Sequence, residues 1–284
     1  MDATVKIRQI LESDAGEVVK LLAEGFRSRP TAYWARAFQM LVLQEAPLGQ
    51  AQIGFLMQEA AEIVGILLII WTPPGVLEKG QMRANLSSWY VRPAFRSFAA
   101  MLLAKACRHA GVTYLNVSAA AHTIQICEAL GFKKYVAGQS VSVPLLSQGE
   151  NVNRVFRFGT EADRLPVVAR RIVADHVAMG CLGLVGEIGD VQVPFLFVKR
   201  RIRGWIPAWQ LIYCQGLGEF EACARPLGWY FLRQGSLFVI CDANDKFQSM
   251  PSVFYADKIP KYYKGPDLPN ACDLSFTEIP LFGI

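Results

Sequence analysis

Between Leu86 and Phe132 the chain reads LSSWYVRPAFRSFAAMLLAKACRHAGVTYLNVSAAAHTIQICEALGF, and this stretch holds most of the side chains able to do chemistry. Arg96 falls in a turn between an apolar run that exits at Pro93 and a segment with helical spacing. An arginine beside the backbone N–H groups of a helix start can hold an anion. As an exposed residue of an ordinary strand-to-helix turn it would hold nothing. His122 precedes a second helical segment, where an imidazole can exchange protons with a ligand or cap the loop. Cys127, inside that segment, offers a thiol that can give up a proton or pack in a core, as free cysteines mostly do. Asn116 and Ser118 alternate onto one face of the strand in between. Further on, Lys199-Arg200-Arg201-Ile202-Arg203 is the densest basic run, readable as a solvated strand end or as a patch for an anionic ligand. His176 and Cys181 lie near one helix, and two residues do not make a site.

The elements that must position these groups follow from periodicity. Ser88–Val91 reads as a strand leaving at Pro93. Phe98–Ala110 has apolar residues at helical spacing and stops at Gly111. Val112–Ser118 alternates as a second strand, and Thr123–Leu130 is a short helix stopped by Gly131. Upstream, Thr4–Ile7 reads as an edge strand, and Ser13 or Asp14 caps a helix ending near Gly25-Phe26. Tyr33–Leu43 reads as another helix. Ile53–Gln58 and Glu62–Trp71 form a hairpin whose second run is apolar on both faces, hence central. Thr72–Met82 reads as a loop, and Lys133–Leu146 completes the sheet.

This order, together with Val91-Arg92-Pro93, Arg96 and Leu130-Gly131-Phe132, resembles the core of the GNAT superfamily of acyl-CoA N-acyltransferases. The family pattern is a strand ending in Val-x-Pro, then Arg/Gln-x-x-Gly-x-Gly/Ala opening a helix, then a strand and a helix that ends in Tyr-x-x-x-Gly-Phe. Ala99 and Met101 stand in place of the loop glycines, and Cys127 in place of the tyrosine. The resemblance covers roughly residues 4 to 146. It implies an α/β fold with a mixed, mostly antiparallel twisted sheet flanked by helices. It also implies attack of an amine on an acyl-CoA thioester, with acetyl-CoA or another acyl-CoA as co-substrate and a small-molecule or peptide amine as acceptor. Carried over position by position, Val91, Arg96, Ser97, Phe98, Ala99, Ala100, Met101 and Asn116 would bind the cofactor. His122 and Cys127 are the candidates for proton transfer. A side chain as long as Met101 at the helix start is expected to crowd the phosphates. No glutamate stands on the strand where many members keep a base. A weakened, CoA-binding or regulatory relative is the alternative that these departures suggest.

The remainder suits a second domain. With 284 residues, 52% of them hydrophobic and including 17 Phe and 6 Trp, the chain can build sizeable cores and is not disordered. The polar segment Ser147–Asn151 marks the expected boundary between domains 1–146 and 152–284. In the second half Thr160–Gly180 reads as helix, Val191–Lys199 and Trp209–Cys214 as strands, and Phe220–Arg233 as a helix disturbed by Pro226. Leu237–Asp242 reads as a strand, Asp257–Leu274 as loop, and Ser275–Phe282 as a final strand. Aligning Gln215 with Arg96 repeats the order strand, glycine turn, helix, strand. The half is therefore either a second GNAT-like copy, even one carrying the working site at Gln215–Gly218, or an unrelated α+β partner.

A net charge of +5 suits an anionic ligand such as a CoA phosphate and does not argue for nucleic-acid binding. The longest apolar run, Ile63–Trp71, is far short of the ~20 residues of a membrane span. Seven cysteines without close pairs and three scattered histidines point to buried thiols and no metal site. With no apolar leader near Met1, a cytoplasmic protein is expected.

Overall fold

A computed structural model describes residues 5–148 and 154–283. In chain order the elements are β1 (Val5–Gln9), α1 (Ala15–Gly25), α2 (Thr31–Leu43), β2 (Gly54–Glu59), β3 (Glu62–Trp71), β4 (Met82–Val91), α3 (Ala99–Ala106), β5 (Val112–Asn116) and α4 (Ala121–Ala129). They continue with β6 (Lys133–Ser142), β7 (Arg154–Arg157), α5 (Val167–Ala178), β8 (Leu182–Ile188), β9 (Val191–Ile202), β10 (Ile206–Tyr213), α6 (Leu217–Ala222), α7 (Ala224–Arg233), β11 (Phe238–Ala243), β12 (Ser252–Lys264) and α8 (Glu278–Phe282).

The chain forms two compact units, and neither is a continuous piece of sequence. The first comprises Met1–Lys133, Tyr262–Leu268 and Phe276–Phe282; the second holds Lys134–Lys261, Pro269–Ser275 and Gly283–Ile284. In the first unit the strands run β1-β2-β3-β4-β5, and β5 takes the end of β12 as its outer neighbour, Tyr262 opposite Asn116 and Lys264 opposite Tyr114. Only β4 and β5 are parallel. In the second unit the order is β7-β8-β9-β10-β11-β6, and only β10 and β11 are parallel. Each sheet thus repeats one plan and is completed by a strand from the other sequence half.

Core formation in the first unit follows the pattern of β3. Ile66, Leu68 and Ile70 face Val18, Leu22, Trp34, Phe38 and Leu41 of α1 and α2, with Phe282 of α8 beside them. Leu67, Ile69 and Trp71 face the opposite layer, Leu102, Leu103 and Ala106 of α3 with Cys127 of α4. A strand covered on both faces has no polar side to show, so its sequence is apolar throughout. In the second unit Phe195, Phe197, Trp209, Phe220, Leu227 and Phe231 make the corresponding core.

Several expectations need correction. The expected loop Asp257–Leu274 begins inside β12. Asp257 and Ile259 take positive φ of 55° and 49°, and with Lys258, Pro260 and Lys261 they erase the alternation by which a strand is recognised. The expected strand Ser275–Phe282 is the helix α8 instead. Phe276, at φ 52°, turns the chain, and Pro280 is better tolerated in a first helical turn than in a strand. The helix expected from Thr160 starts only at Val167, after Pro166. The helix expected over Phe220–Arg233 is two, α6 and α7, with Pro226 in the first turn of α7 where its missing N–H costs nothing. Of the polar segment Ser147–Asn151, residues 149–151 lie outside the described residues, as does Thr4. No described helix is long and apolar enough to cross a membrane.

Candidate active site

The site begins with a fault in β4. Opposite Ile66 and Leu68 of β3 stand Tyr90 and Ser87, so β4 holds one residue more than its partner over the same span. The surplus is taken up around Ser88, whose φ is 53°. A non-glycine residue in that region costs about 1–2 kcal/mol, and such strain collects at functional sites. A bulge bends its strand and sharpens the twist. Pairing between β4 and β5 stops at Asn85 opposite Leu115, and the two strands part beyond it.

Two cavities lie along this parting. One of about 90 Å³ is lined by Leu86–Trp89 of β4, Asn116 and Ser118 at the end of β5, and Phe26, Leu103 and Thr123 around them. The other, about 400 Å³, is lined by Trp89, Tyr90, Val91, Arg96, Ala99, His122, Thr123 and Ile126. They share Trp89 and Thr123. The larger one reaches the turn Pro93–Phe98 and the first residue of α3, where the Arg96 guanidinium favours an anion; the Ala99 N–H there donates to Arg96 O.

Of the residues singled out from sequence, Val91, Arg96, Ala99 and His122 therefore meet at one cavity and Asn116 lines its neighbour. Ser97, Phe98, Ala100 and Met101 line neither. Met101 is 53% exposed, and Phe98 packs partly against the core. Cys127 is fully buried in the α3–α4 layer and lines neither cavity. Asn116 Nδ2 donates to its Sγ at 3.4 Å. Burial pushes the Cys127 thiol up, against the smaller opposing effect of that amide.

Arg92, in the Val-x-Pro motif, turns out to tie elements together. Its guanidinium pairs with Glu24 of α1 at 2.9 Å and with Glu62 of β3. The arginine holds the Glu24 carboxyl below the usual range. Tyr90 Oη also donates to Glu24. Gly25 makes room for that tyrosine, because a Cβ there would meet the ring at 2.4 Å. The bulged strand is in this way pinned on its far side, next to the cavity.

Three lining or neighbouring groups are not evident from the motif reading. Trp89 and Thr123 wall both cavities. Glu278 arrives from α8, far off in sequence and fully buried. Asn85 Nδ2 donates to its Oε2, and Ser118 Oγ donates to its Oε1 at 2.5 Å. Burial raises the phenol of Tyr33 on α2, Arg29 and Arg36 oppose this, and the Glu278 charge adds to it, so this carboxylate acts on the α2 side as well. Among the described residues no group of three or more metal-ligating side chains comes together.

No protein-family model matches the chain, and no curated protein is similar to it in sequence. Solved structures do share its architecture. A GCN5-related N-acetyltransferase from Anabaena variabilis superposes with TM-score 0.58 at 9% identity, covering 92% of this chain and 72% of that one. A GCN5-related N-acetyltransferase from Kribbella flavida gives TM-score 0.51 at 15% identity, over 91% and 70%. A Pyrococcus horikoshii protein matches over 97% of this chain and 94% of its own, with TM-score 0.55 at 11% identity. Over most of its length the chain thus shares a GNAT-like fold with these structures, a mixed and mostly antiparallel sheet flanked by helices, and that is the fold of this chain.

Proposed function

We propose that the protein transfers an acyl group from an acyl-CoA, acetyl-CoA being the first to test, to the primary amine of a small molecule or peptide. The observation that carries this reading is the parting of β4 and β5 at the Ser88 bulge, with a cavity leading from it to Arg96 and the start of α3. The parted strands suit an extended pantetheine arm, and the α3 turn suits a pyrophosphate. Val91, Arg96, Ala99 and Asn116, which line the two cavities, would hold the co-substrate. His122 faces the larger cavity and is the remaining proton-transfer candidate there; Cys127 is a packing residue in this reading. The free thiols of all seven cysteines suit a reducing compartment such as the cytoplasm.

Residues 1–146 and 152–284 are proposed to be two copies of one GNAT-like unit that have exchanged their sixth strands. A binding protein without turnover is the second reading, favoured by Ala99 and Met101 in place of glycines. The test is a thermal shift. Acetyl-CoA at saturation should stabilise the wild type by a few kcal/mol, and Arg96→Glu should abolish the shift while leaving the ligand-free melting temperature in place. A wild type with no shift at millimolar acetyl-CoA overturns the site.

A further inference from the structure

The cavity between β4 and β5 contains an arrangement that the acyl-transfer reading does not itself require. Ser118 stands two residues past the end of β5, is exposed, and lines the small cavity between the parted strands. Its hydroxyl donates to Glu278 Oε1 at 2.5 Å. Glu278 is wholly removed from solvent, and its other oxygen accepts from Asn85 Nδ2 at the last paired residue of β4. Asn85 and Ser118 therefore lie where the two strands separate, and both hold the same carboxylate. Burying a carboxylate is costly unless its oxygens are hydrogen-bonded, so the geometry of this one is tightly specified. It cannot touch a ligand in the cavity, but the serine can.

We propose that Ser118 and Glu278 form a proton relay that deprotonates the acceptor amine. The proposal rests on the acyl-transfer reading above. The incoming ammonium gives one proton to Ser118 Oγ as the serine's own proton passes to Glu278 Oε1. The neutral amine attacks the thioester carbonyl, the C–N bond forms, and the C–S bond breaks. The nitrogen's second proton goes to the departing CoA thiolate, and Glu278 returns its proton to solvent through Ser118 after the amide leaves. Ser118 is the catalytic residue, and Glu278 is the positioning residue that gives it basicity. The absence of a glutamate on β4 itself is then made good from α8, through a segment at the end of the second half in sequence.

The experiment uses the full chain with Glu278→Gln and Ser118→Ala, assayed with acetyl-CoA and two probe amines at neutral pH. One probe is 1,4-diaminobutane, which is almost wholly protonated; the other is hydroxylamine, which is already neutral and needs no base before attack. Glu278→Gln and Ser118→Ala should each lower kcat for the diamine about 100-fold, the usual worth of general-base catalysis. They should leave the KM for acetyl-CoA and the rate with hydroxylamine within about threefold. Equal losses with both amines, or none, overturn the relay. Ser118→Ala, at an exposed position, keeps the test valid if the buried Gln variant fails to fold. A wild type that binds acetyl-CoA but acylates neither amine also overturns the relay while leaving a CoA-binding protein. A wild type that gives no acetyl-CoA shift removes the acyl-transfer reading itself.

Discussion

The same construction occurs twice in this chain with opposite outcomes. β4 and β10 each run parallel to one neighbour for three or four residue pairs, and each carries a bulge against its antiparallel partner, at Ser88 in β4 and between Leu211 and Tyr213 in β10. Past the bulge of β4 the strand lines a cavity. Past that of β10, Cys214 N donates to Cys272 O at 3.1 Å and Leu274 N donates to Ile212 O at 2.8 Å. The segment Asn270–Ser275 is laid along the strand end, and Cys272 and Cys214 join the core there with Cys241. The following turns differ too. Arg96 leads into an eight-residue helix, whereas Gln215-Gly216 leads into α6, which has six residues. A parted parallel pair is a binding cleft only while the chain leaves it empty; filled, it becomes ordinary core. This supports placing the working site in the first unit.

The most severe way to break this comparison is to remove the exchanged strand. A fragment ending at residue 148 keeps the motif residues but lacks Tyr262–Lys264, which pair with β5, and Glu278. It should be insoluble or show no cooperative melt, because β5 then presents an unpaired edge. A soluble, monomeric fragment that binds acetyl-CoA like the full chain would show the two units to be independent in sequence.

The next effect is smaller and sharpens the contrast between the filled and the open cleft. Leu274 is 1% exposed, so Leu274→Ala should cost about 3 kcal/mol in the second unit. The acetyl-CoA shift should survive unchanged in this variant. Loss of ligand binding in a protein that still folds would move the site to β10.

The smallest expected effect concerns acid. Arg8 holds Asp14, and Arg92 holds Glu24, below the ordinary carboxylate range. Such groups add stability above their unfolded values of ~4, and it is lost as pH falls through the lowered folded values. In the second unit burial raises Glu219 and Asp242, with the Lys261 charge opposing in the case of Asp242. Their contribution has the opposite sign: greatest when they are protonated, and lost as pH rises through the raised values. Hydrogen exchange below pH 4 should therefore show the first unit opening before the second. Arg92→Leu should remove about 1 kcal/mol or less at neutral pH and narrow that gap; identical acid profiles for the two units would count against these assignments.

The fold of the first half was legible because its signals are local. β3 is apolar on both faces, Gly131 stops α4 at the expected residue, and Pro93 ends the β4 run. Arg96 stands out through its motif and His122 through its place by the second helix, and both line the larger cavity. What stayed hidden depends on long-range partners. Lys133–Leu146 reads as a strand, but nothing in it says that its observed part, Lys133–Ser142, pairs with β11. β12 hides behind Asp257, Lys258 and Pro260, and Glu278 looks like one polar residue in an apolar tail. The bulge is invisible too, since Ser88 is not the glycine or asparagine that usually marks a left-handed position.

The exchange of strands also sets a schedule. Between Lys133 and Tyr262 lie 128 residues, and a ribosome adding about 5–20 residues per second needs roughly 6 to 26 s to make them. For all that time the nascent first unit has β1 to β5 in hand and nothing to close the open side of β5. The proposed site, which draws Glu278 from α8, is therefore completed last, from a segment synthesised after both cores could have begun to form. Slowing translation, or withholding chaperones that shield β-edges, should lower the yield of this protein more than that of a single-unit relative whose final strand follows directly.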